Sequence, residues 1–386
     1  MTPADWINSQ QAELLSRVIT WSNINSGSRN VAGLHLAGKA IYNDFQSLSP
    51  DSWEVLPPAN AEAGPLAIFR KRAQASQRLL FFGHLDTVYG SEHPLQRAGP
   101  AANGQIVGPG VSDMKGGLVI LLCGLSAYER FVEPKNFGWT IIINSDEEIG
   151  SPNSSRIFQA EAKAHRFGFG FEPALEDGSL ASTRKGSGTF LFRAHGKAAH
   201  SGRNPAAGRN ALIPLAHFIL GCQRLNEERP SVFVNPAIVT GGEASNVVPD
   251  LATCQLNVRT TSREDEGWLQ QELENLRISL QEGDRYRIEL TGKFTAPPKA
   301  LSPEISGLLI LAQQAASKIG MSLNAKPTGG TCDGNRLAEF GLPNLDNLGA
   351  RGGAIHSENE FLIPESMVER SLLLFTLLEL LNRDLR

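Results

Sequence analysis

"LLFFGHLDT", residues 79–87, begins as an apolar run and ends with polar side chains on alternate positions. The run is short, wholly apolar and preceded by polar Gln77 and Arg78, so it reads as a buried strand. In an extended segment, residues two apart point to the same side. His84 and Asp86 thus present an imidazole and a carboxylate together at the end of a core strand.

Working outward, the pattern alternates. Thr2 before Pro3 reads as a helix cap and first position, with helical patterns over 3–18 and 30–47. A strand-like run follows at 66–71. Beyond the strand of the quoted stretch and the segment "SDMKGG" comes an apolar helix, "LVILLCGLSAYERF". A strand "WTIIINS", a polar helix "SPNSSRIFQAEAK" and a strand "RFGFGFE" follow. This alternation argues for an α/β layer, doubly wound around a mostly parallel sheet. From about residue 182 the order becomes β-α-β-β-α-β: "GTFLFRAHG", "RNALIPLAHFILGCQRL", "NPAIVTGG", "LATCQLNVRT", "REDEGWLQQELENLRISL", "RYRIELTG". That is the split unit of a ferredoxin-like domain. "TAPPKALSP" reads as a return linker, and helical patterns resume at 304–320, 333–340 and 364–382. The expected organisation is a discontinuous domain, 1–181 and 294–386, interrupted by an inserted domain, 182–293. A chain of 386 residues also exceeds one typical core.

The composition is 41% hydrophobic with a formal charge of −4, and no basic block points to nucleic acid. The apolar runs fall short of the roughly 18 residues needed to span a bilayer, so no membrane association is expected. "MTPADWINSQ" has no basic stretch followed by an apolar core, and a soluble cytoplasmic protein is expected. Cys123, Cys222, Cys254 and Cys332 show no CxxC spacing, and reduced core residues are expected. Cys332 stands in the polar "GGTCDGN", but nothing adjacent would lower its pKa as a nucleophile requires.

Four clusters lie where an apolar strand ends or a helix begins: "GHLDT", "GVSDMKGG" with Asp113, "NSDEEIGS" with Glu147 and Glu148, and "FEPA" with Glu172. In open α/β sheets ligands bind beyond the carboxyl ends of the strands, where such side chains can converge. His356, in "GAIHSENE", is a further candidate. Two metals sharing one bridging carboxylate would use two imidazoles and three carboxylates, leaving one carboxylate as a hydrolytic base. Asp86 can then accept a hydrogen bond from the far nitrogen of His84, fixing the ligating tautomer. Alone, each cluster has a plainer reading. "HxD" is usually a hydrogen-bonded pair, "DEE" a solvated turn, and Asp113 a helix cap. Their conjunction at strand ends favours a metal site.

The motifs "GHLDTV", "GPGVSDMKGG", "DEEIGS", "FEPA", "GKAAHSG", "EASNVVP" and "GGTCDGN" occur in order over nearly the whole chain. The sequence thereby resembles a metallohydrolase family of glutamate carboxypeptidases, acetylornithine deacetylases, succinyl-diaminopimelate desuccinylases and aminoacylases. "NINSGSRN" resembles its glutamate carboxypeptidase branch. The resemblance implies that Asp113 bridges two zinc ions, with cobalt or manganese as substitutes. His84 and Glu172 would complete one site, Glu148 and His356 the other. Glu147 would be the general base and later the donor to the leaving amine, with Asp86 supporting His84. Glutamate rather than aspartate at position 172 points away from aminopeptidases.

The resemblance further implies that His200 stabilises the oxyanion, that Arg259 and Asn246 bind a substrate carboxylate, and that the inserted domain closes over the substrate. It also implies a homodimer through that domain; in dimeric relatives the histidine comes from the neighbouring subunit. His200 as a loop histidine and Arg259 as a paired surface arginine are the plainer alternatives. The expected function is hydrolysis of an amide to release a C-terminal amino acid. N-acyl-amino-acid deacylation is the near alternative, and a non-catalytic binding protein on the same fold the remote one. That last case would lack the base or a bridging ligand, and both are present.

Overall fold

The computed structural model describes residues 1–58, 63–133, 137–281 and 283–384. Two compact units emerge. One comprises Met1–Thr183, Leu301–Thr328 and Cys332–Arg386; the other comprises Arg184–Ala300 with Gly329–Thr331.

The first unit is built on a six-stranded sheet. The strand Gln77–His84 lies between Phe137–Asn144 and Phe167–Gly170, parallel to both, and Asn344–Leu345 extends the parallel set. At the other edge Leu66–Lys71 pairs antiparallel with Phe137–Asn144, and Ser52–Leu56 pairs antiparallel with Leu66–Lys71. Alternate residues feed opposite layers. Leu79 and Phe81 enter the larger core with Trp139 and Ile141, whereas Leu80 and Phe82 enter a smaller one with Ile142 and Phe158. Both faces are covered, which is why the strand reads as continuously apolar.

The helix Gly117–Phe131 packs beneath this sheet against Glu365–Asp384. Together with the turn before it, Val111–Phe131 is long and apolar enough to cross a membrane by length and composition, contrary to the sequence expectation. Its apolar window is 94% buried inside the protein, as in a core helix. The expected single helix at 3–18 is two, Pro3–Ser9 and Gln11–Ser22, the first closed by a reciprocal Thr2–Asp5 capping box.

The second unit carries four antiparallel strands in the order Phe233–Gly241, Leu251–Thr260, Gly186–His195, Arg287–Ala296. The helices Leu212–Glu228 and Arg263–Leu280 cover one face, and Phe192, Leu256 and Val258 meet Phe218, Cys222, Leu269 and Leu273 in its core. The last strand runs to Ala296. Beyond it, Lys299 exchanges backbone hydrogen bonds with Arg184 (3.0 and 2.9 Å), so the incoming and outgoing chain are neighbours. All four cysteines are buried and none is in a disulfide.

Candidate metal centre

His84 ends the central strand and is fully buried. Its Nδ1 lies 3.0 Å from the Asp86 backbone oxygen and 3.4 Å from Asp86 Oδ1. The nearer partner is therefore the carbonyl, where the sequence reading expects the carboxylate. That carboxylate is engaged elsewhere: it accepts Ser28 Oγ (2.7 Å) and the N–H groups of Glu147 and Glu148 (3.2 Å each). Asp86 thus orients the turn Glu147–Ile149 as well as lying beside His84.

The opposite ring nitrogen of His84 faces an acidic group. Nε2 stands 3.3 Å from Asp113 Oδ1 and 3.9 Å from oxygens of Glu172 and Glu147. Asp113 comes from the turn Val111–Gly116 and has an extended backbone (φ −111°, ψ 92°). Its other oxygen, Oδ2, is 3.2 Å from His356 Nε2, which in turn is 3.3 Å from Glu148 Oε2. The donors form two overlapping triads, His84–Asp113–Glu172 and Asp113–Glu148–His356, each with its ligand atoms within 4.8 Å of one another. Asp113 belongs to both.

Two backbone features place these groups. Gly117 starts the helix after Asp113, and a Cβ there would stand 1.9 Å from the Phe171 carbonyl oxygen. Only glycine lets that helix approach the residue before Glu172. His356 sits in the left-handed region (φ 61°), which costs a non-glycine residue of order 1 kcal/mol and is a common mark of functional positions.

Residues 80–380 match the pattern of Peptidase family M20/M25/M40. The chain belongs to this family. Carboxypeptidase G2 of a Pseudomonas sp. (strain RS-16) is 27% identical over 360 residues, 91% of this M20 chain and 84% of that protein. Succinyl-diaminopimelate desuccinylase of Methylobacterium radiotolerans is 26% identical, over 81% of this chain and 84% of that one. In fold, the chain resembles the Bacillus subtilis YXEP protein, a dinuclear metal binding peptidase from the M20 family. That likeness has a TM-score of 0.71 at 15% identity and covers 97% of this chain and 99% of that one. The M20 chain is accordingly a metallohydrolase of the peptidase and amidohydrolase kind.

The donor set of the M20 chain suits a pair of cations. His84 Nε2 and Asp113 Oδ1 are buried and face each other without a hydrogen bond, and buried polar atoms rarely go unpaired unless something else engages them. The field favours positive charge. Burial opposes an imidazolium at His84, yet Asp113, Asp86, Glu172 and Glu147 outweigh it and hold His84 well above its ordinary pKa. Hydrogen bonds that His356 donates to the Asp113 and Glu148 carboxylates raise it to about 10. Burial and the charge of Glu172 push Glu147 up, while burial and Asp113 push Glu148 up. Burial opposes the charge of Asp113, but the two imidazoles hold its carboxyl low.

Sequence reasoning missed several supports in the M20 chain. Buried Lys115 donates from Nζ to Ser26 Oγ at 2.8 Å, and burial lowers it to about 8. Asp333, within the quoted "GGTCDGN", bonds Asn144 Nδ2 (2.8 Å) and Ser151 Oγ beneath the Glu147 turn. Glu360 is buried four residues beyond His356. None has a local pattern separating it from ordinary polar loop residues, although Ser28, Lys115, Asp333 and Glu360 all fall inside quoted stretches.

The remaining expected residues belong to the second unit. His200 and Asn246 are brought together in exposed loops. Asn246 O accepts the Ser201 N–H (2.9 Å), and His200 Nδ1 accepts those of Gly202 and Arg203 (3.1 and 3.2 Å). Arg259, half-buried near the end of its strand, pairs through its backbone with Ser187 and Phe233, and burial lowers its guanidinium pKa.

Proposed function

We propose that this M20 chain is a di-zinc amidohydrolase of glutamate carboxypeptidase type, releasing a C-terminal amino acid from a small peptide or N-acyl conjugate. The observation that carries this reading is the sharing of Asp113 between two triads, which supplies five ligands for two adjacent cations. His84, Asp113 and Glu172 would hold one ion, and Asp113, Glu148 and His356 the other. Bound there, two zinc ions would supply Lewis acidity toward the scissile carbonyl and acidify water.

The chain's own residues do the rest. Glu147 lies near His84 but belongs to neither triad, which leaves its carboxylate to take a proton from the attacking water and return it to the leaving nitrogen. Its raised pKa suits both halves of that shuttle. From the second unit, Arg259 would take the substrate carboxylate with its planar fork, supported by Asn246, and His200 would steady the developing oxyanion.

A second reading, N-acyl-amino-acid deacylation, is favoured by the likeness to succinyl-diaminopimelate desuccinylase. The two differ only on the acyl side of the cleaved bond. Purified, zinc-loaded protein assayed on C-terminal glutamate dipeptides beside N-acetyl and N-succinyl amino acids decides between them. Cleavage of simple acyl groups alone would overturn the carboxypeptidase assignment.

The reading also includes a cytoplasmic location and a homodimer. The supporting feature for the dimer is the open edge of the second unit's sheet, Phe233–Gly241, where Ile238 and Val239 are exposed.

A further inference from the structure

Glu360 is fully buried, and no step above uses it. Its Oε1 accepts the backbone N–H groups of Ser112 (2.8 Å) and Asp113 (2.9 Å), and its Oε2 accepts that of Gly110 (3.0 Å). Three N–H groups converging on one carboxylate form a backbone nest for an anion. The nest needs Gly110, whose φ of +69° and crowding against Thr87 Cγ2 and Lys115 Nζ (2.7 and 2.9 Å from a built Cβ) exclude a side chain. Asp113 is extended rather than helical, so its N–H has no partner within the turn and takes one from Glu360.

The same residue reaches the other triad through the chain. Its backbone oxygen accepts the Gly108 N–H (3.1 Å), and the following strand, Phe361–Leu362, pairs with Ile106–Val107. Tyr89 donates its hydroxyl to Ser357 O at 3.0 Å, next to His356, and its phenol is an electrostatic neighbour of the Glu360 carboxylate. The segments bearing Asp113 and His356 are therefore joined at Glu360.

We propose that Glu360 is a positioning residue whose carboxylate fixes the backbone that aims Asp113 at His84 and His356 together. The inference rests on the dinuclear reading of the two triads. Glu360→Gln is the informative change because it preserves volume. It replaces one acceptor oxygen by an NH2 group that faces backbone donors, so at least one of the three bonds is lost.

The test is zinc affinity of the full-length, metal-stripped chain, measured by competition with a chromophoric chelator. Wild type, Glu360→Gln, Tyr89→Phe and His356→Ala would be compared, each also melted with and without zinc. Wild type is expected to take two zinc ions. Glu360→Gln should bind them about 10- to 100-fold more weakly, the usual loss when a residue supporting the ligands is removed. Its zinc-induced rise in melting temperature should shrink by more than its metal-free melting temperature falls, a difference that a role in stability alone would not produce. Tyr89→Phe should weaken zinc less and in the same direction, and it decides the matter should Glu360→Gln not fold. Wild-type affinity in Glu360→Gln, or in Tyr89→Phe if that variant must decide, overturns the proposal and leaves the dinuclear reading intact. If wild type binds fewer than two ions and His356→Ala changes nothing, the dinuclear reading fails and the proposal falls with it.

Discussion

Glu147 and Glu148 are adjacent in sequence but serve different neighbours: Glu147 Oε2 is 3.9 Å from His84, and Glu148 Oε2 is 3.3 Å from His356. Substituting them should therefore give different signatures. Glu147→Gln is expected to lower kcat by about 10²- to 10⁴-fold, the usual worth of general acid–base catalysis, with zinc content unchanged. Full zinc occupancy with unimpaired turnover would remove Glu147 from the role of base. Arg259→Ala should raise KM about 10- to 100-fold for substrates with a free carboxylate, the worth of one charge-assisted contact, and far less for amidated ones. Equal losses on both substrate types would give Arg259 another task. The members of the two triads were legible because several imidazoles and carboxylates recurring together at strand ends favour a metal site, although each alone has a plainer reading. Glu360 was not, since its role is written in the backbone N–H groups it accepts, which carry no sequence signature.

Elements with strong periodicity were legible in the same way. The helix Arg263–Leu280 shows an apolar stripe and starts at Ser262 with a capping box to Asp265. The pattern does not show how far Asp265 reaches. Its carboxylate also accepts Arg229 Nε (2.7 Å), Ser231 Oγ (2.8 Å) and Thr261 Oγ1 (2.7 Å), tying the helix to two preceding loops. Burial alone would raise its pKa, but Thr261, Ser231 and Arg229 outweigh that and depress it. A depressed carboxylate stabilises above its unfolded pKa of about 4, and the benefit fades as pH falls toward the folded value. Asp265→Asn is thus expected to cost about 3 kcal/mol in urea unfolding at pH 7, a gap that narrows below pH 4. A pH-independent gap would mean that the carboxylate's charge contributes nothing. By contrast, the edge strand Ser52–Leu56 escaped sequence reading because it is mostly exposed and shows no alternation between buried and exposed positions.

For the molecule as a whole, the change from alternating α/β elements to βαββαβ was visible because each class has its own order of elements. Association is governed instead by surface shape, which sequence order does not encode. The homodimer reading predicts that the full chain sediments as a dimer and that Ile238→Asp, on the open edge, yields a folded monomer; a monomeric wild type would end it. The backbone bonding of Arg184 to Lys299 bears on the architecture in another way. Adjacent strands lie about 4.8 Å apart, so the intervening segment departs and returns within one strand spacing. Cut there, the remaining chain could be rejoined by two or three residues. The segment 185–298, which carries the second unit's four strands, is in that sense a cassette, open to excision or exchange without lengthening the path between the elements that flank it.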